Sequence, residues 1–416
     1  MRGVRDSSIL VLPLRRFQSI HLILGGLSIG KNSHIPRLAI LCDFLEEGWP
    51  SMDLVGDSLH QALTEQSPAA VHPDQIRPEM RRRFGFLPGS SGQRTAFKLD
   101  RLVGRFVDYR LFARGISSRY DMFHIADHSY GHLTHALPAD RCGVFCHDLD
   151  AFRCLIEPAR DPRPFWFRKL ASHVLSGVQK AAVVFYSTST VRDEILAHAL
   201  VPADRLVHAP YGVAAEYSPR SCDAGIRGPY LLHVGSCVPR KRVDLLLDVF
   251  ARVRRQMPDL QLVHVGGPFA DEHERQIDEL GIRDVTTSLI GLTRDQIAEI
   301  YSNASLVLLP SDSEGFGLPL IEALACGVRV VASDIPVLRE VGGDAVTYCR
   351  AGDSDAWAAT VLEALASPGS GPSRDALLAQ AAKYTWRQHA RIIGDAYASL
   401  FESSSPNSSS RGDVHT

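Results

Sequence analysis

Leu306-Val-Leu-Leu-Pro310-Ser-Asp-Ser-Glu314-Gly-Phe-Gly-Leu318-Pro-Leu-Ile-Glu322-Ala-Leu-Ala-Cys-Gly327 contains a complete strand, loop and helix. Leu306–Leu309 is a short apolar run of the kind that forms a strand buried on both faces. A loop containing Gly315 and Gly317 follows, and a helix is predicted to open near Leu318. Pro319 suits its first turn, where a missing N–H removes no hydrogen bond. The free amides of that turn, together with the helix dipole, form a place for a phosphate. Gly315 and Gly317 let the backbone approach a ligand closely. Glu314 and Glu322 bracket the loop, and a carboxylate can grip a vicinal diol by accepting two hydrogen bonds. Taken alone, the same residues also read as an ordinary helix start whose acids are favoured by the dipole.

Outward from this unit the same alternation fills the chain. In the second half, Tyr230-Leu-Leu-His-Val-Gly235 is a predicted strand, and Val243, Leu246, Leu247, Phe250 and Val253 mark one face of a helix running to about Arg255. Further strands are predicted at Leu260–Val265, Val285–Ile290, Val328–Ala332 and Ala345–Tyr348. In the first half, Leu38–Asp43 reads as a buried strand. A Gly/Pro loop from Glu46 to Ser51 follows, then a helix with Met52, Val55, Leu59 and Leu63 on one face. Strands are expected at Met122–Ala126, Gly143–Cys146 and Ala182–Tyr186. Helices are expected at Phe167–Gln179 and Val191–Ala199, the latter capped by Ser189 or Thr190. Pro68 to Asp100, rich in Arg, Pro and Gly, reads as a long excursion.

Strands that alternate with helices imply parallel sheets with right-handed crossovers. The α/β pattern therefore predicts two doubly wound, Rossmann-like domains. The expected plan is a poorly structured N-terminal extension (1–36), a first domain (37–217), a linker (218–229) and a second domain (230–384). A C-terminal helix (385–401), capped by Thr385, should cross back to the first domain, followed by a disordered Ser-rich tail (402–416).

Composition narrows the function. A formal net charge of −2 gives no reason to expect a nucleic-acid partner. The eight cysteines show no paired CxxC spacing, which fits small buried thiols in a reduced, cytoplasmic protein. No apolar stretch reaches the roughly 20 residues of a membrane span, because Arg15 and Arg16 divide the apolar runs near the N-terminus.

The stretch from Ser311 to Gly327 resembles the E-x7-E signature of family-four glycosyltransferases, which have the GT-B fold of two Rossmann-like domains facing a central cleft. The resemblance covers about residues 37–400 and implies a retaining, metal-independent transfer of a hexose, of mannose or glucose type, from a GDP- or UDP-linked sugar. The acceptor would be a glycan, a lipid-linked molecule or a small metabolite, and no cofactor is implied. By the same resemblance Glu314 contacts hydroxyls of the donor sugar and Glu322 holds the ribose. The backbone at Gly315, Phe316, Gly317 and Leu318 faces sugar and diphosphate. His233-Val-Gly-Ser-Cys-Val-Pro-Arg-Lys-Arg-Val243 resembles the family's G-x-x-x-x-R-K motif, which assigns the diphosphate to Arg240 and Lys241 and leaves Arg242 on the surface. Arg suits this task because it forks onto two phosphate oxygens, and Lys because it is a compact charge. Some relatives carry another Arg directly after the Gly; Ser236 stands there, so a third cation is missing at that place.

Val144-Phe-Cys-His-Asp-Leu149 resembles the family's strand-end His-Asp-Leu, which makes His147 the residue that reaches the donor sugar and leaving phosphate. Asp148 is then a partner or local cap. Acceptor-side candidates are Gly48 and Trp49 in the Glu46–Ser51 loop, and Asp127, His128 and Tyr130 at another strand end. Ile290 opens the Ile290-Gly-Leu292 segment, whose counterpart reads the base. Arg81–Arg83 and Arg163–Lys169 are candidates for peripheral contact with anionic lipids on the inner face of the membrane.

Three rivals share parts of this pattern. A nicotinamide oxidoreductase needs G-x-G-x-x-G after a first strand, and neither Asp43-Phe-Leu-Glu-Glu-Gly nor Gly235-Ser-Cys-Val-Pro supplies it. A GT-B nucleotide-sugar epimerase and a non-catalytic sugar-nucleotide-binding protein keep the same frame.

Overall fold

A computed structural model describes residues 34–404, apart from 87, 88, 221–223, 368 and 370. The sequence readings for the N-terminal segment, for Cys222 and for the tail beyond Ser404 fall outside these residues. Ile35 onward forms one compact unit.

Two six-stranded sheets organise it. The first contains β1 (Arg37–Leu41), β2 (His72–Ile76), β3 (Met122–Ile125), β4 (Cys142–Cys146), β5 (Val183–Tyr186) and β6 (Leu206–His208), in spatial order 2-1-3-4-5-6. The second contains β7 (Tyr230–Val234), β8 (Gln261–Val265), β9 (Thr286–Leu289), β10 (Leu306–Leu309), β11 (Val330–Ser333) and β12 (Thr347–Cys349), in order 12-11-10-7-8-9. All the pairings are parallel. Parallel sheets covered on both faces bury whole strands, as the apolar runs at Leu38–Leu41, Val144–Cys146 and Leu306–Leu309 require. In each sheet the order reverses once, between β1 and β3 and between β7 and β10. At such switch points the loops leaving the strands diverge and open a crevice beyond their carboxyl ends.

Several elements depart from the sequence reading. β2 and β6 lie at the start and end of the first sheet, and neither has the apolar run by which buried strands are recognised. The supposed excursion contains a helix, Gly89–Val103, continued by a π turn at Gly104–Asp108 and a further helix at Tyr109–Ile116. Its exposed positions carry as many apolar as basic residues, which hides the helical period. The Ser189–Ala197 helix is capped by Thr188, whose Oγ1 accepts from the Val191 N–H at 3.5 Å, rather than by Ser189 or Thr190.

The chain passes between the sheets twice, side by side. The Val213 N–H donates to the Tyr384 carbonyl at 3.1 Å, and Val213 bridges to Thr385. A Cβ on Gly212 would collide with the Trp386 backbone there. The Trp386–Ser404 helix, three residues longer than expected, then packs on the first sheet. It starts with the Thr385 hydroxyl accepting from the Gln388 N–H at 3.2 Å. Its buried Tyr397 donates to the Phe123 carbonyl of β3 at 3.0 Å and lies 3.0 Å from His124 Nδ1. Gly143 in β4 makes room for that phenol, since a Cβ there would overlap the Tyr397 hydroxyl. Gly143→Ala should therefore lower unfolding free energy by about 1–3 kcal/mol through overpacking, read by denaturant titration, and Tyr397→Phe should partly restore it.

Candidate active site

The loops leaving β7 and β10 meet at the second sheet's switch point. After β10, Ser311–Phe316 leads into the Leu318–Ala325 helix, whose preceding residue, Gly317, has φ +89°. That left-handed conformation suits glycine, and no side chain caps the first turn. Pro319 has no N–H and the Leu320 N–H donates to the Gly317 carbonyl at 2.9 Å, so the first turn keeps the Leu318 amide for a ligand.

After β7, Arg240 and Lys241 are carried on a short turn (Pro239–Lys241) against the same loop. Buried Glu314 receives Lys241 Nζ at 2.6 Å on one oxygen and Arg240 Nη1 at 3.2 Å on the other. The Ser311 hydroxyl adds a third donor at 2.8 Å. Burial alone would raise the Glu314 pKa, but Lys241 and then Arg240 outweigh it, and the carboxyl is held below its usual range. The Asp312 N–H donates to the Arg240 carbonyl at 2.8 Å, joining the two loops through their backbones. Arg242 stays out of this cluster, clamped to Asp244 and Asp312.

Glu322 sits one turn into the helix and is buried. The Tyr301 hydroxyl donates to its Oε2 at 3.0 Å, and the Tyr217 hydroxyl also favours its charged form. Burial pushes its pKa up to about 7 against the smaller opposing pull of Tyr301, Arg294 and Lys241. Ile290 is exposed just beyond β9, before the turn at Gly291.

The first sheet closes over this loop. The Gly315 carbonyl accepts from Ser187 Oγ at 3.2 Å and Thr188 Oγ1 at 3.4 Å, both just past β5. A Cβ on Gly315 would lie 2.8 Å from the His147 carbonyl at the end of β4. Nearby, the Ser189 N–H donates to both carboxylate oxygens of Glu340, at 2.8 and 2.9 Å. The Tyr211 and Phe316 rings meet edge to face, 5.1 Å between centroids.

His147 is buried, stacked on Phe145, with Nδ1 in a short hydrogen bond to the Tyr211 hydroxyl. Burial pushes its pKa down to about 4, only partly offset by Asp127, so the imidazole is neutral at physiological pH. Asp148 caps its own turn, accepting from the Asp150 N–H at 2.9 Å.

At the first sheet's switch point stand Asp43, beyond β1, and Asp127, beyond β3. Asp127 takes the Ser129 N–H and hydroxyl, both at 2.7 Å. Burial would raise its pKa, but His128, His147 and the Ser129 amide hold it below the usual range. Burial, then the Asp127 charge, pushes Asp43 up to about 9. At neutral pH Asp43 therefore holds a proton and Asp127 carries the charge.

Of the acceptor-side residues, Trp49 is half exposed and Gly48 takes the left-handed conformation its turn requires, φ +68°. His128 is buried between Asp127 and Asp148, at 3.4 and 3.7 Å. Tyr130 does not face the crevice. Its ring is buried against Phe44 and Tyr109, and its hydroxyl donates to Glu47 at 2.8 Å, so it holds the Gly48–Trp49 loop from behind. Sequence reading missed Asp43, Tyr211, Tyr301 and Ser311. Asp43 was visible as an acid directly after an apolar strand, whereas the tyrosines reach the site from distant segments.

Two six-stranded parallel-sheet lobes that meet at their switch points define the GT-B fold of glycosyltransferases. Residues 225–384 match the family model for glycosyl transferases group 1. The chain is 29% identical over 284 residues to O-antigen chain mannosyltransferase B of Escherichia coli, covering 65% of this chain and 72% of that protein. It is 36% identical over 161 residues to the D-inositol 3-phosphate glycosyltransferase of Mycolicibacterium smegmatis, where the match spans 37% of this chain and 36% of that protein. Among solved structures, sucrose-phosphate synthase from Thermosynechococcus elongatus superposes with a TM-score of 0.68 at 20% identity, covering 88% of this chain and all (100%) of that one. Anabaena HepE, solved with UDP and glucose, superposes at 0.67 with 15% identity, over 88% and 100% of the two chains.

Gly315→Ala should push the loop away from the His147 carbonyl and break the Ser187 and Thr188 contacts. The expected result is a destabilisation of about 1–3 kcal/mol and weaker binding of the nucleoside diphosphate of the preferred donor, read by thermal denaturation with and without that ligand.

Proposed function

We propose that this protein transfers a hexose from a GDP- or UDP-linked donor to a glycan, lipid-linked or small-molecule acceptor, with retention of configuration and without a metal ion. The observation that carries this reading is the Lys241–Glu314–Arg240 cluster beside the uncapped Leu318 helix start. Its parts match a sugar diphosphate one by one. The amides and the two cations face phosphate oxygens, and cations already in place can do the charge neutralisation that a divalent metal would otherwise supply. Glu314 binds sugar hydroxyls, and Glu322 takes the ribose diol. Leu289 and Ile290 lie on the base side.

The mannosyltransferase relative favours mannose as the sugar and an O-antigen-type glycan as the acceptor. Retention fits a front-face path in which the leaving diphosphate takes the acceptor proton, with the Glu314 carboxylate engaged by Lys241 and Arg240 rather than poised to attack. With the Tyr211 phenol as donor, His147 Nδ1 accepts and the ring proton sits on Nε2, ready to donate to the leaving group as negative charge develops there. Asp43, protonated, and Asp127, charged, present one donor and several acceptors to acceptor hydroxyls.

A thermal-shift screen across GDP- and UDP-sugars tests the donor. A ligand that binds the folded form alone raises the melting temperature, and stabilisation by no nucleotide sugar would overturn the reading. Lys241→Ala should cut turnover by at least about a hundredfold, the scale of losing one preorganised charge at a reacting centre; near-normal turnover would remove Lys241 from the mechanism.

Glu322 gives a pH signature. Its raised pKa favours the protonated carboxyl in the free protein, and ribose hydroxyls bind best to the carboxylate. Donor affinity should therefore weaken as pH falls below about 7, and Glu322→Gln should weaken binding and flatten that dependence. The sign for stability is opposite. The contribution of protonated Glu322 is fully present below the usual carboxyl range and is lost as pH rises through about 7.

A further inference from the structure

The geometry points to an anionic bilayer as the partner of the flank formed by residues 81–116 and the start of the Phe165–Lys180 helix. The chain as a whole carries a net charge of −2, yet residues 81–119 hold ten basic side chains and two acidic ones. The asymmetry is therefore local and strong.

The helix that carries this charge has one buried face and one exposed face. Ala96 and Asp100 are buried before the π turn, Gly104 at its first residue, and Tyr109, Ala113 and Ile116 after it. The extra residue of the π turn resets the phase, so that both halves press the same side inward. Outward go basic residues such as Lys98, Arg110 and Arg114, interleaved with large apolar ones. Leu111 is 64% exposed and Phe112 41%. Asp100 accepts from the Arg83 and Phe84 amides at 2.7 and 3.2 Å, which holds the Arg81–Phe86 loop beside the helix. On the neighbouring Phe165–Lys180 helix, Phe165 is 80% and Trp166 62% exposed, next to Arg168 and Lys169. The two are joined through His132, whose ring stacks on Phe106 of the π turn at 4.4 Å and lies 6.3 Å from that of His173.

Basic residues alone would suit any polyanion. Exposed Leu, Phe and Trp among them suit a surface with charge outside and hydrocarbon beneath, which is a lipid headgroup layer. Among the described residues no helix is long and apolar enough to cross a membrane, so the contact is interfacial. The surface also connects to the crevice. Arg101 and Arg105 of the same helix reach Glu47 at 3.1 and 3.7 Å, and Glu47 is next to Gly48 and Trp49. A docked helix thus holds the acceptor-side loop at the bilayer.

Sedimentation with vesicles of phosphatidylcholine, alone or mixed with phosphatidylglycerol, tests this on the full chain. The protein should bind the mixed vesicles, lose binding as salt rises, and bind phosphatidylcholine at least about tenfold more weakly. The Leu111→Glu/Phe112→Glu and Arg110→Gln/Arg114→Gln pairs should each weaken binding about tenfold or more. Their melting temperatures and nucleotide-sugar thermal shifts should stay unchanged, because all four side chains are exposed. No binding to the mixed vesicles would overturn the proposal. So would binding that survives the Leu111/Phe112 change, or retention of the unaltered protein on an RNA column with no binding to the mixed vesicles. Loss of the nucleotide-sugar shift in the unaltered protein would instead count against the transferase reading alone.

Discussion

The ion pair of Lys241 with Glu314 is the constraint on which the rest depends. It joins the loops leaving β7 and β10, the strands between which the second sheet reverses its order. Two charges taken out of water need good geometry and further hydrogen bonds to offset desolvation. Arg240 and Ser311 provide them. Removing any one partner would leave buried charge uncompensated, so the loops stay in the conformation that presents the helix amides. In the unliganded molecule Glu314 acts as the counter-ion of the two cations. In the function proposed above, a diphosphate takes over part of that role and releases Glu314 oxygens for hydroxyls. Binding is thus an exchange of one anion for another in a site that never carries bare positive charge.

The two sheets make complementary use of their switch points. The second places cations and bare amides there, which suits phosphate. The first places Asp43 and Asp127 there, which suits hydroxyl groups and repels phosphate. His147, neutral and held by Tyr211, lies between the two fields.

Much of this was legible in the sequence because the signals were local. Leu306–Gly327 encodes strand, glycine turn, helix start and both glutamates within one stretch, and the structure follows it closely. The fold class followed from buried parallel strands, whose apolar runs are conspicuous. The elements that escaped had weaker local signals. β2 reads His-Pro-Asp-Gln-Ile and sits on a sheet edge. The 89–116 helix mixes apolar and basic residues on its exposed face. Tyr211 and Tyr301 matter through contacts 64 and 21 residues away in the chain. Tyr130 was misread because a strand-end tyrosine has the chemistry of a ligand contact, while its ring is drawn into the core by Phe44 and Tyr109.

The paired crossings at Val213 and Thr385 have a mechanical meaning. Two separate linkers set far apart would allow the lobes to twist and slide as well as open. Here both strands of the connection are stitched together at one point, with Gly212 pressed against the Trp386 backbone. That arrangement leaves one easy degree of freedom, a swing about the stitch, like the cover of a book about its spine. Its effect is largest at the far margin, where Gly315 faces the end of β4 and where Ser189 meets Glu340. A few degrees at the spine there become the ångströms that admit a substrate or expel water.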